Sequence, residues 1–126
     1  MNKLIISLGS NSSDRQWQME QAVKHLEQIL TKTVMSDVYE SPAHNGVDAP
    51  YLNAVMLAST TKSFEEVNAA FKQWEIACGR TPASKMQGVI PIDLDVVVWN
   101  GEVIRVSDYS RDYVSKGVAQ LLHRLL

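Results

Sequence analysis

The chain has 126 residues, 45% hydrophobic and 21% charged, with a formal net charge of -2. That length fits a single domain spanning residues 1–126, which needs no metal or disulfide staple to fold, and the lone Cys78 excludes an intramolecular disulfide and makes a cytoplasmic location the expectation. The near-neutral charge argues against a nucleic-acid partner, no apolar run approaches the roughly 18 residues of a membrane span, and the amino terminus carries no signal-peptide cleavage pattern.

In chain order, Lys3 to Leu8 is apolar and ends in Gly9-Ser10-Asn11, which reads as a buried strand and a turn. Ser13 with Gln16 predicts a capping box, and Met19, Ala22, Val23, Leu26, Ile29 and Leu30 fall at helical spacing up to about Thr31. Thr33 to Tyr39 predicts a strand. Glu40 to Pro50, with Pro42, Asn45, Gly46 and Pro50, predicts a long loop, and Tyr51 to Thr60 the next strand.

Ser63 and Glu66 predict a second capping box. Val67, Phe71, Trp74 and Cys78 keep one helical face apolar until Gly79 stops it. Thr81 to Pro91 reads as a second long loop and Ile92 to Trp99 as a strand, and Asn100-Gly101 turns into Glu102–Val106. Ser107 to Gly117 is ambiguous, and Val118 to Leu126 predicts a short helix. The order is that of an α+β, ferredoxin-like split βαβ domain, with helices packed on a mainly antiparallel sheet. Two long loops in so small a domain point to function.

Several chemistries are absent from the sequence. There is no G-x-x-x-x-G-K-[ST], no G-x-G-x-x-G, no H-E-x-x-H and no cysteine pair for zinc. His25, His44 and His123 are scattered, and they read as ordinary surface or partly buried residues; Cys78 reads as core. The sharpest feature is Ile92-Asp93-Leu94-Asp95. On a strand, Asp93 and Asp95 share one face with their carboxylates roughly 7 Å apart. They repel unless a positive charge lies between them, and a hard cation such as Mg²⁺ would supply one. The simpler alternative is a pair of acids on the solvated face of an edge strand. Arg80 leaves a helix end towards this strand and could hold a phosphate. Tyr51 and Asn53 also share a face, and a ring beside an amide suits a flat, nitrogen-rich heterocycle.

Taken in order, Leu8-Gly9-Ser10-Asn11, Tyr39-Glu40-Ser41-Pro42, Tyr51-Leu52-Asn53-Ala54-Val55, Glu75 with Gly79-Arg80, and Ile92-Asp93-Leu94-Asp95 resemble the 6-hydroxymethyl-7,8-dihydropterin pyrophosphokinase family. The resemblance runs from Lys3 to about Ile104. It implies a ferredoxin-like α+β fold and Mg²⁺-dependent transfer of diphosphate from ATP to the pterin alcohol in folate biosynthesis. It also implies that Asp93 and Asp95 bind two Mg²⁺ ions with ATP, and that Asp95 lies nearest the attacking hydroxyl. Ser41, Pro42, Ala43, His44, Tyr51 and Asn53 would line the pterin pocket. Glu75, Arg80 and Lys85 would lie at the nucleotide, with Arg111 and Lys116 in the tail as further phosphate-binding candidates.

The chain departs from the family pattern where phosphates are held. A family R-W-G-P-R stretch reads here Met86-Gln87-Gly88-Val89-Ile90, and Pro82 stands where another arginine is common. A family P-H-x-x-x-x-x-R-x-F segment is matched only by Ser110 to Val118, without the histidine, and the tail is shorter than the family's. Two readings therefore stand: a diphosphotransferase, or a catalytically impaired pterin-binding paralogue that keeps the pocket and has lost the triphosphate clamp. A related reaction on another ring or phosphate donor is a third. The oligomeric state is left open.

Overall fold

The computed structural model describes residues 1–43, 45–105 and 109–125, with side chains of the last helix described through Leu122. The elements are β1 (Asn2–Ser10), α1 (Arg15–Ile29), β2 (Thr31–Met35), β3 (Tyr39–Ser41) and β4 (Tyr51–Thr60). They continue as α2 (Phe64–Ala77), α3 (Pro82–Met86), β5 (Asp93–Trp99), β6 (Glu102–Val103) and α4 (Asp112–Leu125). The sheet order is β2-β4-β1-β5-β6, with β3 also paired to β4, and the described pairings are antiparallel. This is the expected split βαβ order, extended by β3 and β6.

Alternation along β1 builds two cores. Leu4, Ile6 and Leu8 pack with Met19, Ala22 and Leu26 of α1 and Val67 and Phe71 of α2. On the opposite face, Val55 and Val97 pack with Val114, Val118 and Leu121 of α4, beside Ile5 and Leu57. Among the described residues, no helix is long and apolar enough to cross a membrane.

Local chemistry explains where the elements begin and end. The Ser63–Glu66 box forms: Glu66 N donates to Ser63 Oγ at 3.2 Å and Ser63 N to Glu66 Oε1 at 3.2 Å. Gly79 ends α2 with φ +100°, and Asn100 and Gly101, at φ 49° and 81°, make the hairpin turn. Cys78 is half-buried against the larger core.

Four expectations are corrected. The Ser13–Gln16 box does not form; Asp14 stands at the N-cap without a side-chain cap bond, and its Oδ1 accepts from the Ser12 hydroxyl at 2.6 Å. The single strand expected over Thr33–Tyr39 is two strands, broken at the buried Ser36, whose Oγ accepts from Val55 N at 2.8 Å. The expected loop after Thr81 holds α3, started by the Thr81 cap with Pro82 in its first turn, and five residues are too few to show a helical period. The last helix begins at Asp112, not Val118. Lys116-Gly117 looks like a break in sequence, yet Gly117 is where α4 presses on the sheet, and a Cβ there would collide with Val55 and lie 2.9 Å from Tyr39 Oη.

Candidate active site at the open edge of the sheet

Leu94 and Val96 of β5 enter the α1/α2 core, so alternation turns Asp93 and Asp95 to the face that α4 covers. The strand register then assembles the site. Gly9 pairs with Asn53 on one side and Asp93 on the other; Ser7 pairs with Val55 and Asp95. The missing side chain of Gly9 leaves a gap between Asn53 and Asp93: a Cβ there would stand 3.5 Å from Asn53 Oδ1 and 3.6 Å from the Tyr51 ring. Above this floor is a cavity of about 150 Å³. Tyr51, Asn53, Ser41 and Pro42 line one side, Asp93, Asp95 and Arg105 the other, and Tyr113 of α4 contributes a ring. Asn53 is 4% exposed, and its Nδ2 donates to Ser41 Oγ at 2.6 Å, which fixes the amide.

The strand β6 pairs with Val98 and Trp99, and among the described residues no strand continues this ladder along β5 beside the aspartates, which leaves an open edge there. Two side chains of α2 close it. Leu94 N donates to Glu75 Oε2 at 2.8 Å, and Lys72 Nζ donates to Leu94 O at 3.3 Å. A bare edge would leave both backbone groups without protein partners.

The same side chains carry the electrostatics. Arg80 Nη1 lies 2.8 Å from Asp93 Oδ1 and 3.1 Å from Glu75 Oε1. Lys72 Nζ lies 3.2 Å from Glu75 Oε2 and 3.3 Å from Asp95 Oδ1, and Arg105 Nη1 is 3.7 Å from Asp95 Oδ1. Burial pushes the Asp95 carboxyl up to about 6, aided by the neighbouring Asp93 charge. Burial also pushes on Asp93, but the Arg80 hydrogen bond and charge outweigh it and hold Asp93 below the usual carboxylate value. Burial raises Glu75, against the Leu94 N–H and the Lys72 and Arg80 charges. The two aspartates are thus shifted in opposite directions, Asp95 up and Asp93 down.

Asn11 pins both long loops to the end of β1. Its Nδ2 donates to Gly88 O at 2.7 Å and Ala49 O at 3.3 Å, and its Oδ1 accepts from Ile90 N at 2.6 Å. It is 2% exposed.

Of the residues singled out from sequence, Ser41, Pro42, Tyr51, Asn53, Asp93 and Asp95 line one cavity, and Arg80 links its Asp93 to Glu75. Ala43 is buried nearby, outside the lining, and His44 lies outside the described residues. Lys85, Arg111 and Lys116 are exposed, and none lines the cavity; Lys116 Nζ instead sits 4.8 Å from the Tyr39 ring centroid. His25 is partly buried and stacks on Trp74 at 4.1 Å; the side chain of His123 lies outside the described residues.

Sequence reasoning missed Lys72, Ser7 and Tyr113, and it quoted Gly9 and Asn11 only as part of a motif, with no role. The alternation of β1 could have found Ser7 and Gly9. Lys72, three residues before Glu75 on the same helical face, could have been found by that spacing.

Among the described residues, no group of three or more His, Cys, Asp or Glu could hold a metal ion. The donor set is instead two carboxylates facing a cavity, which fits Mg²⁺, an ion that takes one or two carboxylates and completes its shell with phosphate oxygens and water. It does not fit a closed zinc site.

The family model for 7,8-dihydro-6-hydroxymethylpterin-pyrophosphokinase matches residues 5–123. The chain is similar to the 2-amino-4-hydroxy-6-hydroxymethyldihydropteridine pyrophosphokinase of Aquifex aeolicus, at 34% identity over 106 residues, covering 83% of this chain and 66% of that protein. It is 30% identical to the protein of the same name from Bacillus subtilis, covering 98% of this chain and 80% of the relative. A folate synthesis bifunctional protein of Pisum sativum, named as mitochondrial, is 31% identical over 82% of this chain and 20% of its own length. The chain therefore spans just under two thirds of the Aquifex relative and a fifth of the pea one. With the family model matched along nearly its whole length, the chain belongs to the 7,8-dihydro-6-hydroxymethylpterin-pyrophosphokinase family.

Proposed function

We propose that the chain transfers diphosphate from ATP to the hydroxymethyl group of 6-hydroxymethyl-7,8-dihydropterin, in folate biosynthesis and in the cytoplasm. One observation carries this reading: the register places Asn53 and Tyr51 across the bare Gly9 from Asp93 and Asp95, so a flat ring and a cation–phosphate group fit side by side. Tyr51 would stack on the heterocycle, and Asn53, fixed by Ser41, would hydrogen-bond its polar edge. Asp93 and Asp95 would hold Mg²⁺, two ions in the fullest reading, which when bound would neutralise and orient the phosphates. Asp95 would also lie nearest the attacking hydroxyl. Arg80 and Arg105 would bring positive charge to the donor end.

The impaired-paralogue reading is favoured by a different observation. Lys85, Arg111 and Lys116 stand outside the cavity lining, and Arg80 is engaged by two carboxylates. Arginines in phosphoryl transfer contribute about 10³–10⁵ in rate, so their loss separates the readings sharply. The test is AMP release from ATP and Mg²⁺, with and without the pterin alcohol. Pterin-dependent AMP that disappears in Asp95→Asn supports the transferase. Tight pterin binding without AMP release supports the paralogue.

A further inference from the structure

The residue that the family pattern did not supply here is Lys72. Its ammonium reaches two carboxylates and one backbone carbonyl: Glu75 at 3.2 Å, Asp95 Oδ1 at 3.3 Å and Leu94 O at 3.3 Å. The helix α2 aims it there, because Lys72 and Glu75 lie one turn apart on the face that covers the open edge of β5. Around the site, Glu75, Asp93 and Asp95 face three cations: Arg80 pairs with Glu75 and Asp93, Arg105 with Asp95, and Lys72 with Glu75 and Asp95. The Lys72 side chain keeps 42% of its surface exposed, while that of Asp95 keeps 13%. The lysine can therefore swing to solvent while the aspartate stays where it is.

We propose that Lys72 is a built-in counter-ion that competes with a divalent cation for Asp95 and makes metal uptake depend on nucleotide. This rests on the metal-binding part of the function proposed above. A unit positive charge beside a carboxylate oxygen lowers what a second cation gains by binding that oxygen. A nucleotide's phosphates offer the displaced ammonium a new partner, so nucleotide and metal should strengthen each other's binding reciprocally. Without nucleotide, Lys72 keeps the carboxylates neutralised. Lys72 is thus a positioning residue for Asp95.

The test is titration of the full chain with Mn²⁺ alone, and then with a non-hydrolysable ATP analogue, at mildly alkaline pH. Lys72→Met should bind Mn²⁺ alone about tenfold tighter than the unmodified chain, a change of about 1.4 kcal/mol. The gain in Mn²⁺ affinity on adding nucleotide should shrink in that variant, and Lys72→Arg should restore the unmodified behaviour. A folded Lys72→Met with unchanged or weaker Mn²⁺ affinity overturns the proposal, as does the absence of Mn²⁺ binding in both chains. If Lys72→Met does not fold, Lys72→Gln, which can still donate to Leu94 O, carries the same expectation. Failure of both neutral variants to fold would make Lys72 a structural clamp and end the proposal. An unmodified chain that binds no nucleotide would remove the transferase reading and leave the comparison on Mn²⁺ alone intact.

Discussion

The two faces of the sheet are put to opposite uses. The α1/α2 face is filled from end to end with side chains such as Leu4, Ile6, Leu8, Phe71, Leu94 and Val96, all buried. Among the described residues, the α4 face is packed in a smaller patch, where Val55 and Val97 meet Val114, Val118 and Leu121 beside Ile5 and Leu57. Beyond that patch it gives way to Ser7, Gly9, Asn53, Asp93 and Asp95 around a cavity. One face stabilises the fold, and the other gives up packing to keep charged and polar groups beside open space. The same strands serve both, since alternation on β1 and β5 assigns successive residues to opposite faces.

This division has a direct energetic consequence. Phe71→Ala, on the packed face, should destabilise the chain by about 3–5 kcal/mol, read as a fall in the denaturation midpoint. If Phe71→Ala cost no more than a surface change, the packed face would not be the main source of stability.

Asp95→Asn should act the other way. The Asp95 carboxyl is pushed up to about 6 from its ordinary 3.8, chiefly by burial and then by Asp93, so the metal-free folded chain binds its proton more tightly than the unfolded chain. Stability from this group is fully present below about pH 4 and is lost as pH rises through about pH 6, a loss on the order of 2–3 kcal/mol. Asparagine mimics the protonated form. The variant should therefore melt higher than the unmodified chain at neutral pH, with the gap closing towards pH 4, while metal-dependent nucleotide binding disappears. Identical melting profiles at every pH would show that the aspartates are merely solvated. Asp93, held below its usual value once Arg80 outweighs burial, contributes with the opposite sign, in a window below about pH 4.

How much of this division the sequence reveals depends on the kind of signal. Alternation in Asp93-Leu94-Asp95 and Tyr51-Leu52-Asn53 put four site residues on shared faces, and the structure places them on the same side of the sheet. Ser63, Gly79 and Asn100-Gly101 marked their boundaries because each is a local requirement of backbone geometry or capping. Non-local features were not legible in this way. The break at Ser36 depends on a hydrogen bond to Val55, and the extent of α4 depends on Gly117 fitting against the sheet. Lys72 acquires Leu94 and Asp95 as partners only when α2 lies along the edge of β5. The tail cations were the reverse case: Arg111 and Lys116 carry charge that suits phosphate, but charge does not show where a side chain sits, and the fold leaves them outside the cavity lining.

A smaller effect sharpens the comparison within the cavity. Asn53→Ala removes an amide set by Ser41 and should weaken pterin binding by about 1–3 kcal/mol with little change in Mg²⁺–nucleotide binding. A loss of both to the same degree would mean that the substitution disturbs the strand and not a ring-binding half of the site.

The most direct test of the central claim, that the α4 face holds a ring site beside a metal–phosphate site, is calorimetric titration of the unmodified chain with 6-hydroxymethyl-7,8-dihydropterin. It should be run with and without Mg²⁺ and a non-hydrolysable ATP analogue. The account predicts pterin binding that tightens when Mg²⁺ and the analogue are both present, and that no longer tightens in Asp95→Asn. Pterin binding that is absent, or that is untouched by Asn53→Ala and by Mg²⁺–nucleotide alike, would contradict it.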